Sequence, residues 1–416
     1  MKNFRFLKLF LVSSLCLSSF LHAGTLFVIP GAEATGIGGA FTAVADDSTA
    51  IYYNPAGLTN LEGNGFEASC FFMDAKAKTD SKIVFTDEED WFYKNDYDKL
   101  KVKATIPFFA GYTKYKNIHL AIGIYGIGGG TGKWKGEGID NYNWEQIWNI
   151  KNEYSFLVYN LSGAKKINEK IALGVGLNII QMKEEQNIYA IENDYEYGSE
   201  LYRRDITNYK KETDDIGYEG VLGAIYKPIE KLKLGFTFKT GCKIKLKGDL
   251  DSTWSYFNKY AEEIEYGGEK NSYKRDYKYP MTCSLGAGYD ITEKMLLALS
   301  FDFAHFSKIC DENDEKLGYK NTCVISLGTR YKLKENLDLL CGIRRDPSLY
   351  KKENVNLFNT DQYALTVLTL GAAYRYKSMK FAGSIVYNIS DSLTDNYDNS
   401  YEFDSVVYRG TIGYNF

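Results

Sequence analysis

Histidine is scarce in this chain, with three in 416 residues. One of them, His22, lies in an N-terminal leader. Hydrolytic chemistry needs a nucleophile activated by a neighbouring base. Of the two remaining, His119 adjoins a short polar turn, and His305 has Ser307 two positions on but no third group to orient it. An enzyme is therefore not expected. The seven cysteines are irregularly spaced and form no Cys-x-x-Cys pair, so neither a metal site nor a cofactor is indicated.

Proline is also rare. Six prolines accompany 38 glycines and 35 tyrosines, an odd balance for a soluble protein of this size. Past the N-terminus there is no run of about 18 apolar residues, which excludes a membrane-spanning helix. Sustained 3.6-residue periodicity is nearly absent, against a soluble α/β domain. The net charge of −4 argues neither for nor against nucleic acid, and no nucleic-acid partner is expected.

What the chain has instead is period two. Four hairpins open with Gly-x-x-Tyr: Gly223/Tyr226, Gly286/Tyr289, Gly328/Tyr331 and Gly371/Tyr374. After each comes a short polar turn and an apolar-x-apolar restart, and looser copies run from Tyr115 to Leu120 and from Gly163 to Leu173. The run from Leu232 to Lys247 puts Leu232, Leu234, Phe236, Phe238, Ile244 and Leu246 on one face, with lysines on the other. Lysines are not buried in a dry core without partners. The apolar face is therefore expected to meet hydrocarbon and the lysines water, the signature of a membrane-spanning β-barrel.

The turns organise fourteen strands between residues 65 and 416, with six short turns alternating with seven longer loops. An even count is what single-chain bacterial barrels require, short turns facing the periplasm and long loops the outside. Residues 1–23 read as a signal peptide: Lys2, Arg5 and Lys8, then Leu9 to Leu21, then Leu21-His-Ala23. At the other end, Val406, Tyr408, Ile412, Tyr414 and Phe416 share one face. A terminal Phe after such a strand resembles the signal read by outer-membrane assembly machinery. Tyr226, Tyr289, Tyr331 and Tyr374 suit an aromatic girdle beside the short turns, and outer-membrane lipid is the expected neighbour. The glycines three residues earlier point inward and leave room in the lumen. By parity Cys242, Cys323 and Cys341 fall on the lipid side.

Residues 24–64 do not alternate. They are dominated by small residues, with turns at Pro30-Gly31 and Asn54-Pro55-Ala56-Gly57. The pattern Gly36-x-Gly38-Gly39-Ala40…Asp46-Asp47…Tyr53-Asn54-Pro55-Ala56-Gly57 resembles the N-terminal hatch of the FadL/TodX family of outer-membrane transporters. Pro107 to Tyr112, the hairpins and the strand count extend that resemblance over nearly the whole mature chain. It implies an all-β, fourteen-stranded antiparallel barrel in the bacterial outer membrane, a hatch over 24–64 and a barrel over 65–416. It also implies uptake of hydrophobic small molecules, long-chain fatty acids by default and hydrocarbons otherwise. The rival from another class is a non-transporting barrel acting as an adhesin or secretion accessory.

Charge points the same way. From Gly24 to Ala75 there is no Lys or Arg, but there are Glu33, Asp46, Asp47, Glu62, Glu67 and Asp74. Lumen parity supplies Lys239, Arg330, Arg344, Arg375 and Arg409, with Lys227 and Lys243 as further members. An acidic plug in a basic-walled lumen is expected, the alternative being charge that merely hydrates the wall. Trp134, Trp144, Trp148, Trp254 and Phe257 fall in outer loops, where 128–151 and 249–276 are candidates for the family's ligand-capture groove. One helical turn would put Trp144, Ile147 and Trp148 on one side; an outer aromatic belt is the other reading. Gly126, Gly128, Gly129 and Gly130 end the third strand, where the family has a kink that opens a lateral gap. The alternative is a flexible loop start.

Overall fold

In a computed structural model the described residues are 30–79, 100–139, 144–195, 201–260, 263–308, 319–349, 364–394 and 400–416. Trp91 and the leader lie outside them. The strands are β1 (Gly65–Thr79), β2 (Leu100–Tyr115), β3 (Ile118–Ile139), β4 (Trp144–Lys166), β5 (Ile171–Tyr195) and β6 (Leu201–Ile229). Then come β7 (Leu232–Lys239), β8 (Cys242–Asn258), β9 (Glu263–Tyr279), β10 (Thr282–Thr292), β11 (Met295–Ala304) and β12 (Thr322–Lys334). The last are β13 (Leu337–Asp346), β14 (Leu365–Tyr376), β15 (Met379–Ser390), the two-residue β16 (Leu393–Thr394) and β17 (Ser400–Asn415). Every pairing is antiparallel, and β1 pairs with both β2 and β17, so the sheet closes. With β7–β8, β9–β10 and β15–β16 each forming one interrupted strand, this is a closed barrel of fourteen. The expected turns are in place at 116–117, 167–170, 230–231, 293–294, 335–336 and 377–378.

Alternation sets the two surfaces. Outward residues such as Ile122, Leu161, Val175, Tyr218 and Leu370 are more than half exposed, as a hydrocarbon-facing belt requires. Tyr226, Tyr289, Tyr331 and Tyr374 each point outward beside a short turn.

Three sequence expectations are corrected here. First, the Leu232–Lys247 run is not one continuous face. Gly241 takes φ +66° opposite the Pro280-Met281 step, and the register of β6 shifts by one residue between β7 and β8. The phase inverts there: Ile244 and Leu246 are fully buried inside and Cys242 packs inward, while Lys243, Lys245 and Lys247 point outward. Lys243 is therefore not a lumen residue, nor Cys242 a lipid-facing one. Second, the described residues of 128–151 and 249–276 are not loops but strand extensions, of β3 and β4 and of β8 and β9. Third, residues 144–148 are extended and pair with 190–194, so no helical turn gathers Trp144, Ile147 and Trp148. In a strand, positions 144 and 148 share a face and 147 takes the opposite one.

Candidate functional site

Residues 30–64 fold inside the barrel as two short helices, α1 (Ala32–Gly36) and α2 (Ala50–Tyr53), and a 3-10 turn, Pro55–Asn60. Helices of four or five residues are marginal alone, so the wall must hold them. Ala32 donates its N–H to the Thr411 hydroxyl (2.9 Å), Thr369 donates to the Gly36 carbonyl (2.9 Å) and Thr237 to the Tyr53 carbonyl (2.8 Å). Asn54 is the pivot and is fully buried. Its Nδ2 donates to the carbonyls of Thr42 (2.8 Å) and Ala224 (3.0 Å), while its Oδ1 accepts from the Ala56 N–H (3.1 Å). Asn thus caps the turn that Pro55 begins.

The inward glycines of the hairpins are where this segment meets the wall. A methyl at Gly223 would lie 2.7 Å from Pro55 Cδ, at Gly286 2.8 Å from the Ala43 nitrogen, and at Gly328 2.6 Å from Ile37 Cβ. At Gly371 it would lie 3.3 Å from the Gly36 Cα. The room left in the lumen is filled by residues 36–55. Within the segment, Gly57 abuts the Ala45 carbonyl (2.5 Å from its would-be Cβ), Gly38 and Gly39 take φ +69° and +82°, and Ala40 and Ala56 are buried.

The acidic groups find cations. Asp46 receives both guanidinium ends of Arg330, at 2.6 and 3.1 Å. Glu33, 3% exposed, has Lys380 at 3.1 Å, Arg375 at 3.3 Å and Arg330 at 3.7 Å. Asp47 lies 3.5 Å from Lys380, which also binds Glu67 of β1. Burial would raise the Glu33 carboxyl, but Lys380, Arg330 and Arg375 together hold it down to about 2. Asp47 goes the other way: burial and the neighbouring Glu67 push it up to about 7. One lysine shared among three carboxylates cannot neutralise them all; Asp47 and Glu67 have no arginine beside them, and Asp47 is the farther of the two from Lys380.

The other expected lumen cations do different work. Lys239 sits over the Tyr52 ring (3.9 Å), Arg344 pairs with Asp346, and Arg409 lies over Phe71 (5.0 Å). Lys380, the centre of the cluster, was missed by the sequence reading. Its parity, between outward Met379 and Phe381 just after a short turn, was the available signal.

Above this segment the lumen is apolar on the β2–β9 side. Tyr52 meets Tyr125 edge-on (5.9 Å), Tyr125 stacks on Phe108 (5.7 Å), and Phe156 meets Tyr277 (5.6 Å). Ile180, Met182, Ile244 and Leu246 complete this fully buried lining. A polar thread crosses it: Tyr125 donates to Asn178 (3.3 Å), which donates to Glu219 (2.7 Å). Consecutive apolar residues, as in Phe156-Leu157-Val158, were the sequence signal for an apolar inner face.

The wall itself is broken beside this lining. β2 and β3 pair up to Phe108↔Tyr125 and resume at Lys103↔Thr131, so Ala104–Pro107 and Gly126–Gly130 are unpaired with each other, while β1 and β4 still pair with their far edges. A bulge between Gly126 and Gly128 adds Ile127, and Gly129 takes φ +150°. All four expected glycines lie in this break; a methyl at Gly126 would collide with Ile106 Cγ2, and one at Gly129 would sit 3.1 Å from the Tyr154 carbonyl oxygen. A cavity of about 940 Å³ runs along it, lined by Ala104, Ile106, Tyr154 and Phe156 and rimmed by charges such as Lys183 and Asp214. Trp254 is half-buried on β8 against Gly267, and Phe257 lies three residues on in the same strand.

A closed barrel with a buried inner segment, an apolar lumen and a discontinuous wall is an outer-membrane passage protein in build. A family profile for outer membrane protein transport proteins (OMPP1/FadL/TodX) matches residues 14–381, and the chain belongs to that family of the outer membrane. It is 22% identical to outer membrane protein P1 of Haemophilus influenzae, over 89% of this chain and 88% of that one. In fold it is similar to a FadL homologue of Pseudomonas aeruginosa (TM-score 0.70, 14% identity, covering 93% of this chain and 98% of that one). The toluene transporter TodX of Pseudomonas putida is comparably similar (TM-score 0.67, 14% identity, 93% and 98% covered).

Proposed function

We propose that the protein carries hydrophobic compounds, long-chain fatty acids foremost, across the outer membrane without chemistry or a cofactor. Residues 1–23 are the signal peptide in this reading and 24–64 the hatch. Capture falls to the tall outer extensions carrying Trp134, Trp144, Ile147, Trp148, Trp254 and Phe257. Burial of apolar area drives it, at roughly 25 cal/mol per Å². Movement of the hatch about Asn54-Pro55 then admits the ligand to the apolar lining. Release runs sideways, through the β2–β3 break at Gly126–Gly130, into the membrane. The observation that carries this reading is the break itself. Strand edges facing lipid leave backbone groups unsatisfied, and here such a stretch adjoins an apolar lumen.

Relatives named as a toluene transporter and a monoaromatic hydrocarbon channel make hydrocarbons the competing cargo. Uptake of labelled oleate and labelled toluene by cells with and without the gene tests the proposal. Loss of oleate uptake on deletion supports it, and loss of toluene uptake alone reassigns the cargo. Loss of neither favours an adhesin or secretion accessory.

A further inference from the structure

The phase inversion at Gly241 leaves an outward basic patch that the passage reading does not draw on, apart from Lys247, which also lines the cavity at the wall break. Above it, Lys243, Lys245 and Lys247 of β8 and Lys274 and Lys278 of β9 all point outward. Asp276, among them, pairs with Lys243, and Asp214 on the outer face of β6 lies opposite Lys247 while itself 3.5 Å from Lys183. Register makes the crowding sharper: Lys243 lies directly opposite Lys278, and Lys247 opposite Lys274. Like charges directly across a sheet are destabilising. Edge protection, a common use of lysine, explains β9, which among the described residues pairs with β8 alone. It does not explain β8, which lies between β6 and β9.

The level of the patch is informative. The outward belt next to it ends at Phe236 and Phe238 on β7, Ile216 on β6 and Phe303 on β11. Lys243 comes five residues after Phe238, just past the break at 240–241. The lysines therefore begin where hydrocarbon ends. Further out the sign reverses, with Asp249 on the same face of β8 and Asp251 already paired to Lys270 (3.3 Å). A basic band one headgroup tall, between hydrocarbon and an acidic crown, matches a layer of fixed negative charge at that depth.

We propose that this face binds the phosphate groups of a phosphorylated lipid in the outer leaflet. Several ammonium groups converge on one side of the sheet, and Lys binds phosphate as a point charge without demanding bidentate geometry. Such a lipid would also relieve the lysine–lysine repulsion. The assignment to the outer leaflet rests on the long strands pointing outward, which surface labelling (Discussion) tests separately.

The test uses the full-length protein in detergent and native mass spectrometry with bisphosphoryl lipid A, monophosphoryl lipid A and phosphatidylcholine. Wild type should retain the bisphosphoryl form best and phosphatidylcholine least. Combined Lys243→Gln, Lys245→Gln, Lys247→Gln and Lys274→Gln should weaken retention of the bisphosphoryl form by roughly tenfold or more. Lys210→Gln with Lys270→Gln, outside the patch, should not. Heat-modifiable gel migration reports folding. If the fourfold variant fails to fold, the single charge reversal Lys245→Glu should still lower retention. Equal retention by a folded variant, or equal retention of phosphatidylcholine, would overturn the proposal. Displacement by inorganic phosphate at the same concentration as lipid would also overturn it, since the site would then be one for small anions.

Discussion

At the scale of single residues, the inner segment is held by close approach and by charge, and the two are separable. Gly223 faces Pro55 Cδ at 2.7 Å from its would-be Cβ, backed by the buried Asn54 turn. Gly410, on the outer surface, has nothing within 4 Å. Gly223→Ala should therefore displace the turn and raise ion leakage in planar bilayers several-fold, and Gly410→Ala should leave conductance unchanged. Charge predicts a pH dependence. The Asp47 carboxyl is raised from 3.8 to about 7, so its contribution to seating is whole below pH 3.8 and lost as pH rises through about 7. Glu33 is lowered from 4.5 to about 2, so its contribution is present above pH 4.5 and lost as pH falls through about 2. Leakage of the wild type should rise between pH about 4 and about 8, and Asp47→Asn should flatten that rise. Asp46→Asn should increase leakage at neutral pH, because it leaves Arg330, 13% exposed, without its two-pronged partner. Flat wild-type conductance over that range would show that the charges are only solvated.

At the scale of elements, the β2–β3 break offers a direct intervention. A Cβ built at Gly126 lies 3.6 Å from Ile106 Cβ, within the range a disulfide spans. Ile106→Cys with Gly126→Cys should staple the gap, abolish oleate uptake under oxidising conditions and restore it with dithiothreitol. Uptake untouched by the staple would send the cargo elsewhere. Legibility in the sequence divides along the same lines. Strand existence, turn positions and the glycine-rich break were readable, because alternation and turn chemistry are local. The inversion at Thr240-Gly241 was not. Lys239 and Lys243 share odd parity across one apparently regular strand, and only the facing Pro280-Met281 step reveals that two residues interrupt both. The extended form of 144–148 was likewise hidden, since Trp144, Ile147 and Trp148 fit a helical spacing while their pairing partners, Asp194, Ile191 and Ala190, lie far on in the sequence. Of the ion-pair cluster, Glu33, Asp46, Asp47, Arg330 and Arg375 were in view, but Lys380 was passed over. The apolar lumen was obscured by the assumption that an inward face must be polar.

At the scale of the whole molecule the barrel is lopsided. β3 to β6 run to 22, 23, 25 and 29 residues, whereas β11 and β13 have 10 each. Crossing a bilayer takes roughly 9–11 residues, so β11 and β13 barely span it. The surplus on β6 extends on the order of 60 Å along the tilted strand at about 3.3 Å per residue. All that surplus lies on the side away from the short turns, and the apolar lining, the wall break and the lysine patch all belong to the tall half. The ion-pair cluster lies at the opposite end, where Arg330, Arg375 and Lys380 are within a few residues of the turns at 335–336 and 377–378. Such polarity fixes a direction of passage only if the tall half faces outside. Single cysteines at Asn168 and Glu335, both exposed on short turns, should resist a membrane-impermeant maleimide in intact cells. A cysteine at Asp251, high on β8, should react, and permeabilised cells should label at all three positions. Because the chain's own Cys323 and Cys341 are exposed on the outer wall, the measurement is made in a background with native cysteines replaced by Ala. Labelling of positions 168 and 335 from outside would invert the molecule. Capture would then have to occur at the charged cluster rather than at the tall apolar wall, and the lysine patch would meet the inner leaflet instead of the outer one.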